Sequence, residues 1–405
     1  MSHALPPLRG GHRLRLLQGS GELFPFLVEA MDAAQRDIRL ETYIFDFTGQ
    51  GAEIAYALER AARRGVSVKV VVDGFGSGPI PPAWEERFLH AGVNWRVFAP
   101  PGRLGMLWLG NWRRLHRKLC VVDGETGFCG GINILDDFHD PNHGPLASPR
   151  LDFAVRVTGP LVAEMAASME RLWLRMKAVR DIRQARLAGA LLSLRASGTA
   201  LASPQPPAAP EGRRSRAALV LRDNLRNRTR IERSYRRAIG RAREEIIIAN
   251  AYFVPGRKMR HALVEAAGRG VKVVLLLQGR YEYFMQFYAA RPIYGALLRA
   301  GVEIHEYSPS FLHAKVAVID GRWATVGSSN LDPLSLLLAR EANVVVEDVG
   351  FAALLRTRLM QAIRQEGREM EPAEYSNRPL RQRFMEGVAL ALMRLALIVQ
   401  GKKYL

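Results

Sequence analysis

HRKLCVVD occupies residues 116–123 of the chain, and HAKVAVID occupies residues 313–320. Each octapeptide is followed at the same distance by a related tetrapeptide, GGIN at 130–133 and GSSN at 327–330. A single His-x-Lys is common in structural strands, but two copies with matching spacing are hard to obtain by chance. The repeated stretch therefore predicts two halves of one common fold, each of which carries half of a functional site.

The spacing inside each motif is informative because side chains at i and i+2 share one face of a strand. His116 and Lys118 should point the same way, as should His313 and Lys315. If the halves pack about a pseudo-twofold axis, two imidazoles and two ammonium groups meet in one cleft. Such a cleft would stabilise the oxygens of a phosphodiester as phosphorus becomes five-coordinate. The lysines supply the positive charge, so we expect no metal and no other cofactor.

Further polar residues of the motifs are candidates for the same site. Asn133, Ser328 and Asn330 are predicted to bind phosphate, because their side chains donate hydrogen bonds and the neighbouring glycines allow close backbone approach. Asp123 and Asp320 complete the motifs and are candidate catalytic residues. Each precedes a glycine, however, and Asp-Gly is a hairpin signal in its own right, so a structural role at the turn stays open.

Two acidic residues occupy matching strands downstream of the motifs. Asp152 lies in RLDFAVRV and Glu341 in REANVVVE. Each could accept a hydrogen bond from a catalytic imidazole and so fix its tautomer and raise its basicity. The alternative is an ordinary surface salt bridge, with Arg150 or Arg340 as the neighbour.

The repeat extends well beyond the motifs. IRLETYIFDF (38–47) and AARRGVSVKVVVDG (61–74) match IIIANAYFVP (246–255) and AAGRGVKVVLLLQG (266–279). Apolar strands that alternate with amphipathic helices indicate βαβ units, and hence an α/β fold with a mixed, mostly parallel sheet flanked by helices in each half.

Composition divides the chain into four segments. We predict an N-terminal lobe over 1–192 that ends in a helix over 161–192, a Pro-, Ala- and Ser-rich linker over 193–216, a C-terminal lobe over 217–370 and a basic amphipathic tail over 371–405.

The charge and the cysteines indicate partners and compartment. With 58 Lys and Arg against 39 Asp and Glu, the net charge is +19, which favours a polyanion such as nucleic acid or anionic lipid, or else only a solvated basic surface. Cys120 and Cys129 are too few for a disulfide framework or a metal site, so we expect two buried thiols in a reducing compartment. Residues 1–11 contain no apolar run, so we expect a cytoplasmic protein.

The tail and one loop are candidates for contact with a membrane. The apolar section 384–399 is interrupted by Glu386 and Arg394 and is too short and too charged to span a bilayer. An interfacial helix fits this pattern, and so does a helix docked on the protein core. The segment GRLGMLWLGNWRR (102–114) combines Trp with Arg and fits either a membrane interface or an internal loop.

On the paired motifs the sequence resembles the phospholipase D superfamily over residues 13–370. The pair ETYIF and NAYFVP, together with GGIN and GSSN, is similar to the bacterial cardiolipin synthases, and the lack of two leading membrane spans is similar to their shorter B-type form. The resemblance implies two pseudo-symmetric lobes with the active site between them. It also implies a peripheral enzyme on the cytoplasmic side of the bacterial cell membrane.

The resemblance further implies a reaction. A phosphatidyl group passes from one phosphatidylglycerol to another, through a phosphohistidine, to give cardiolipin and glycerol. His116 would attack, His313 would act as the acid, and Glu341 would orient His313. The partners would be anionic phospholipid and the membrane surface, with no nucleic acid. The alternative is a phospholipase D-type phosphodiesterase that hydrolyses phospholipid or nucleic acid, since the same residues would serve.

Overall fold

The computed structural model describes residues 4–100, 113–184, 186–199, 215–223, 227–280, 284–332, 339–376 and 378–399. The Trp-containing loop over 102–114 lies outside the described residues except at its last two positions. The first half contains, in chain order, β1 (Arg9–Gln18), α1 (Gly19–Ala33), β2 (Asp37–Thr42), α2 (Gly49–Arg63), β3 (Ser67–Asp73), α3 (Pro82–Ala91), β4 (Asn94–Phe98), β5 (Arg114–Leu115), β6 (Lys118–Val122), β7 (Thr126–Gly130), β8 (His139–Asp140), β9 (Gly144–Pro145), β10 (Phe153–Thr158), α4 (Leu161–Arg183) and α5 (Leu187–Thr199).

The second half repeats most of this order and adds C-terminal elements. It contains β11 (Ser215–Arg222), α6 (Arg230–Ile239), β12 (Glu245–Asn250), α7 (Arg257–Gly268), β13 (Lys272–Gln278), α8 (Phe284–Arg299), β14 (Glu303–Tyr307), β15 (Lys315–Ile319), β16 (Trp323–Gly327), β17 (Ala339–Glu347), α9 (Val349–Glu366), β18 (Gly367–Glu369), α10 (Pro372–Ser376) and α11 (Leu380–Val399).

Sixteen of the described strands form one sheet that runs through both halves in the order β18-β14-β13-β12-β15-β16-β17-β11-β1-β10-β7-β6-β2-β3-β4, with β5 paired to β17. The predicted βαβ units are present, because β2, β3 and β4 are parallel neighbours, as are β12, β13 and β14. The hairpins that carry the His-x-Lys motifs add antiparallel pairs to each half. The mixed α/β fold class and the pseudo-symmetric arrangement are therefore confirmed.

A shared core joins the halves. One cluster of buried side chains draws on both, with residues such as Val121 and Val155 from the first half and Val316 and Val344 from the second. Helices α4 and α9 supply further members of this cluster, among them Met165 and Leu359. Burial of apolar side chains between the halves stabilises their relative placement, so a site made from both halves can be held in a fixed geometry.

The predicted helix over 161–192 is two helices, since α4 ends at Arg183 and α5 begins at Leu187. Helix α5 also runs to Thr199, beyond residue 193 where the linker was predicted to begin, and β11 already starts at Ser215. The Leu- and Ala-rich start of the segment has good helix propensity, which outweighs the loop signal of the later prolines. Residues 200–214 of the predicted linker lie outside the described residues.

The tail forms a helix that docks on the protein and keeps an apolar outer face. Ala389 and Met393 of α11 are buried in the core of the second half, and the Glu386 carboxylate receives a hydrogen bond of 2.6 Å from Arg378. On the opposite face Phe384 is 70% exposed and Leu395 is 57% exposed. None of the described helices combines the length and the apolar character needed to cross a bilayer.

Candidate active site

The two motifs begin at equivalent ends of two hairpins, β6–β7 in the first half and β15–β16 in the second. β6 and β15 start at Lys118 and Lys315, so each histidine stands two residues earlier, just before its strand. Both strands are buried along their whole length. The strong pairing of these central strands fixes the place from which each histidine projects.

Asp123 and Asp320 lie at the opposite ends of these strands, away from the histidines. Both adopt left-handed backbone angles, with φ of 53° and 50°. The carboxylate of Asp123 accepts backbone N–H groups of residues 35–37, and that of Asp320 those of residues 243–245. This geometry favours the structural role at the turn that the sequence left open, because both carboxylates are used to hold it.

His116 is delivered to a carboxylate from the other half. Strand β5 pairs in parallel with the start of β17, and the His116 N–H donates to the Arg340 carbonyl at 3.0 Å. The neighbouring Glu341 then places Oε1 at 3.1 Å from His116 Nδ1. Pairing between the halves thus brings this histidine to its partner.

His313 is held by the equivalent arrangement in the other half. Leu312 forms a parallel bridge with Leu151, and the His313 N–H donates to the Leu151 carbonyl at 2.9 Å. Asp152 Oδ2 consequently lies 2.6 Å from His313 Nδ1.

The predicted role of both carboxylates in orienting imidazoles fits this geometry, but the predicted pairing of Glu341 with His313 is wrong. Glu341 faces His116 and Asp152 faces His313. The strand register within each half does not predict which ring each carboxylate faces. That choice depends on the short bridges between the halves. The alternative of a surface salt bridge fails as well, since both carboxylates are buried.

Exposure differs sharply between the imidazoles and the carboxylates. The side chains of His116 and His313 are 15% and 19% exposed, whereas those of Glu341 and Asp152 are 0% and 2% exposed. The carboxylates thus form a buried layer behind the two rings. Since each Nδ1 faces a carboxylate, Nε2 is the nitrogen of each ring that is free for chemistry.

The two motif lysines are buried beside the rings. Lys118 Nζ donates to the His116 carbonyl at 2.8 Å, and Lys315 Nζ donates to the His313 carbonyl. Burial, followed by the charge of Lys315, lowers the pKa of Lys118 to about 7. Two lysine side chains buried beside the two rings form a site that favours an anion.

Burial also dominates the titration of the histidines and of Asp152. It lowers the pKa of His116, and the negative charge of Glu341 opposes that change. It lowers the pKa of His313 well below the ordinary value, with Lys315 and Lys118 adding to the effect. It raises the pKa of Asp152 to about 7. Burial thus disfavours the charged form of both Asp152 and His313, which are joined by a hydrogen bond of 2.6 Å.

The predicted phosphate-binding residues divide into two groups. Asn133 and Asn330 are buried, and the Asn133 amide oxygen accepts the Ile44 N–H at 3.1 Å, which leaves its NH₂ group to point elsewhere. Ser328 is different, because its hydroxyl donates to Glu341 Oε2 and accepts the Ala342 N–H. The Ser328 hydroxyl therefore holds Glu341, and its proton is not available to a phosphate in this arrangement.

Two neighbours of the site were missed in the sequence. The ring of Tyr43 lies 4.9 Å from that of His116 and 5.4 Å from Lys118 Nζ, so it walls one side of the site. Gly131 lies against the Asp152 carboxylate, which a Cβ at this position would strike. Both occur within the repeated stretches, so the repeat itself was the signal that could have found them.

Both cysteines are free and buried at the same hairpin, and burial raises the pKa of each thiol to about 12. A thiol in that state is a poor nucleophile, so the cysteines take no part in the site.

Comparisons with known proteins agree with this geometry. A family model described as "Cardiolipin synthase, PLD-like domain" matches residues 27–173 and 235–363, one match in each half. Cardiolipin synthase B of Salmonella typhi is 38% identical over 365 residues, which cover 88% of this chain and 81% of that protein. Cardiolipin synthase B of Escherichia coli (strain K12) is 37% identical over 361 residues, covering 87% and 80%.

Among solved structures, the chain is similar to a phosphatidylserine synthase of Haemophilus influenzae, with a TM-score of 0.66 over 98% of this chain and 96% of that one. The sequence identity of 14% restricts this likeness to the fold.

Proposed function

This chain belongs to the cardiolipin synthase family of phospholipase D-like proteins, and from that membership we propose that it joins two phosphatidylglycerol molecules into cardiolipin and releases glycerol. One observation carries the proposal: two imidazoles are each faced at Nδ1 by a carboxylate from the opposite half, with a buried lysine beside each ring. This arrangement supplies a nucleophile, an acid and an anion site together.

The first step transfers the phosphatidyl group to the enzyme. His116 Nε2 attacks phosphorus, a P–N bond forms, and the P–O bond to the headgroup glycerol breaks. His313 gives its Nε2 proton to the departing glycerol oxygen. Lys118, Lys315 and the amides of the two motif asparagines, Asn133 and Asn330, hold the non-bridging oxygens as charge builds on them.

The second step is the reverse displacement on a new alcohol. A hydroxyl of the second phosphatidylglycerol gives its proton to His313 and attacks phosphorus, and the P–N bond to His116 breaks. Both rings then return to their starting states, so no net proton is consumed. Water in place of the alcohol would give hydrolysis, and the membrane surface favours transfer because it concentrates the acceptor.

The charges around each ring support His116 as the nucleophile. A phosphohistidine with a proton on Nδ1 is a cation, and the negative charge of Glu341 favours positive charge on the His116 ring. Asp152, with a pKa raised to about 7, lets its pair with His313 keep a transferable proton near neutral pH. The first half-site thus suits the covalent intermediate, and the second suits proton transfer.

The outer face of α11 is proposed to rest on the cytoplasmic surface of the membrane. Leu380, Phe384 and Leu395 are exposed along this face, and Arg381 and Arg383 are exposed next to them. An apolar stripe beside cationic side chains suits an anionic lipid interface, whereas the opposite face holds the helix on the protein.

Incubation with phosphatidylglycerol vesicles, and separately with DNA, tests the activity. The proposal predicts cardiolipin and glycerol from the vesicles and no cleavage of DNA, with His116→Ala protein as the inactive control. Phosphatidic acid and glycerol as the products would identify a phospholipid hydrolase instead. Cleavage of DNA with no lipid product would identify a nuclease.

Vesicle flotation with a matched pair of substitutions tests membrane contact. Leu380 of α11 and Leu89 of α3 are 80% and 77% exposed. Leu380→Ser should weaken binding to phosphatidylglycerol vesicles up to about tenfold, the effect of withdrawing one leucine side chain from an apolar phase. Leu89→Ser should leave binding unchanged. Equal binding by both variants would exclude this face of α11 as the contact.

A further inference from the structure

The residue before each catalytic histidine is held by a side chain at the end of a parallel strand. Asp73 is the last residue of β3, and its Oδ2 accepts the Leu115 N–H at 2.7 Å. Gln278 is the last residue of β13, and its Oε1 accepts the Leu312 N–H at 3.2 Å. The two side chains thus perform the same task at equivalent positions of the repeat.

These hydrogen bonds bear directly on the histidines because the held residues form the short bridges between the halves. Leu115 pairs with Arg340 in the β5–β17 ladder, and Leu312 bridges Leu151. These bridges bring His116 to Glu341 and His313 to Asp152. A hydrogen bond to the N–H of the preceding residue therefore limits the rotation of the backbone from which each ring projects.

The two holding residues differ in charge although they match in geometry. Asp73 is fully buried and also accepts the N–H groups of Phe75 and Gly76 through Oδ1. Gln278 has no charge, and its Nε2 is buried without a hydrogen-bond partner among the described residues. One amide oxygen is sufficient for the Leu312 N–H, whereas the two oxygens of Asp73 accept three N–H groups and also carry a negative charge.

Asp73 and Lys118 bond to adjacent residues, because the carboxylate accepts the Leu115 N–H and the Lys118 ammonium donates to the His116 carbonyl. The charge of Asp73 therefore acts on Lys118. The groups that act on Lys118 are Lys315, which lowers its pKa, and Glu341, Asp152 and Asp73, which raise it against the larger effect of burial. Burial raises the pKa of Asp73, while the N–H groups of Leu115 and Phe75 and the charge of Arg114 oppose that change and favour the ionised carboxylate. Asp73 therefore helps to keep Lys118 protonated and able to hold a phosphate oxygen.

We infer that Asp73 and Gln278 are positioning residues that aim the two catalytic histidines, and that the negative charge of Asp73 in addition keeps the Lys118 side of the site cationic. This inference rests on the proposed function for its activity assay only. The same neighbour relation predicts a shift in the titration of Lys118, which is measurable without turnover.

The experiment uses three variants of the full chain. Asp73→Asn removes the charge and keeps one oxygen acceptor for the Leu115 N–H, at the loss of the acceptor for the Phe75 and Gly76 N–H groups. Asp73→Ala removes both, and Gln278→Ala removes the acceptor in the other half. Turnover of phosphatidylglycerol is followed against pH, the ammonium group of Lys118 is titrated by NMR, and thermal unfolding reports on the fold.

Asp73→Asn should retain turnover within about tenfold of wild type near pH 6. The pH at which its activity falls on the alkaline side and the pKa of Lys118 should both decrease, because loss of a nearby negative charge lowers the pKa of a lysine. Asp73→Ala and Gln278→Ala should each lose about a hundredfold, as expected when a supporting contact of a catalytic ring is removed. The substitution at Gln278 should leave the Lys118 titration unchanged.

An unchanged Lys118 titration in Asp73→Asn protein would overturn the electrostatic part. Wild-type turnover in both alanine variants would overturn the positioning part. If Asp73→Ala does not fold, the Asp73→Asn and Gln278→Ala results decide both parts. Failure of wild-type protein to produce cardiolipin would instead refute the proposed function, and the NMR result would still stand.

Discussion

His116 and His313 occupy equivalent places in the two halves, yet their carboxylate partners differ. Behind His116 stands Glu341, which is held by the Ser328 hydroxyl. Behind His313 stands Asp152, which lies against Gly131. One ring thus faces a glutamate that is held by a serine hydroxyl, whereas the other faces a shorter aspartate that packs against a glycine.

The charges follow the same division. Glu341 opposes the lowering of the His116 pKa, whereas cations dominate around His313 after burial. A repeated backbone has therefore produced two rings with different electrostatic surroundings. Because the motifs themselves are alike, the proposed division of labour between nucleophile and acid has to come from the residues around the motifs.

Removal of either imidazole ring should have the largest effect on activity. His116→Ala and His313→Ala should each reduce cardiolipin formation by at least about a thousandfold, because one histidine cannot act as nucleophile and acid together. Product formation by the purified variants is the measurement. Substantial turnover by one of them would contradict a site composed of both halves.

Neutralising the two carboxylates one at a time should distinguish the two rings by the pH dependence of turnover. Glu341→Gln and Asp152→Asn should each reduce turnover by about a hundredfold. Wild-type activity should fall on the acidic side as His116 gains a proton, and above about pH 7 as Lys118 and the pair of Asp152 and His313 lose theirs.

Glu341→Gln removes the charge that raises the pKa of His116, so its acidic limb should move to lower pH. Asp152→Asn should leave that limb in place. Identical shifts in the two variants would mean that both carboxylates serve the two rings alike.

A smaller difference is expected from the residues that hold the carboxylates. Gly131→Ala drives a Cβ into the Asp152 carboxylate, so it should reduce turnover by about tenfold to a hundredfold. Ser328→Ala removes one hydrogen bond to Glu341 and should cost about tenfold or less. Initial rates at pH 7 compare the two, and a larger effect at Ser328 would reverse the expected order.

The buried lysine predicts a change in stability. Lys118 has a pKa of about 7 in the folded chain, below its ordinary 10.5, so its burial destabilises the fold fully below pH 7 and less as the pH rises from 7 towards 10.5. Lys118→Met should therefore raise the unfolding free energy by about 1–3 kcal/mol at pH 6, and by less at pH 9.5, while abolishing activity. Denaturant unfolding at the two pH values measures this, and a loss of stability at pH 6 would contradict it.

The sequence was sufficient for the fold class, the histidines and the lysines because they recur at matching positions in a repeat. It also identified Asp152 and Glu341, but it assigned Glu341 to the wrong ring. That exchange depends on β5 pairing with β17 and on the bridge between Leu151 and Leu312, which are contacts of a few residues between distant parts of the chain. Local periodicity carries no signal for such short pairings.

The roles of Asp123, Asp320 and Ser328 depend in a similar way on contacts that sequence spacing does not reveal. Asp123 and Asp320 belong to a motif that is defined along the strand, but a five-residue strand carries them to the end opposite the histidines. Ser328 lies at the right end, yet its hydroxyl is taken by Glu341. Sequence spacing identifies residues that travel together, whereas hydrogen-bond partners decide what each one does.

The most direct test of the account is to identify the residue that carries the intermediate. Radiolabelled phosphatidylglycerol is mixed with His313→Ala protein, which lacks the acid and the base of both steps, and the reaction is quenched and digested. We expect label on His116, where it is trapped because no base remains to activate the second alcohol. Label on His313 in the converse His116→Ala protein, with none on His116 in the first, would contradict the assignment of the two half-sites.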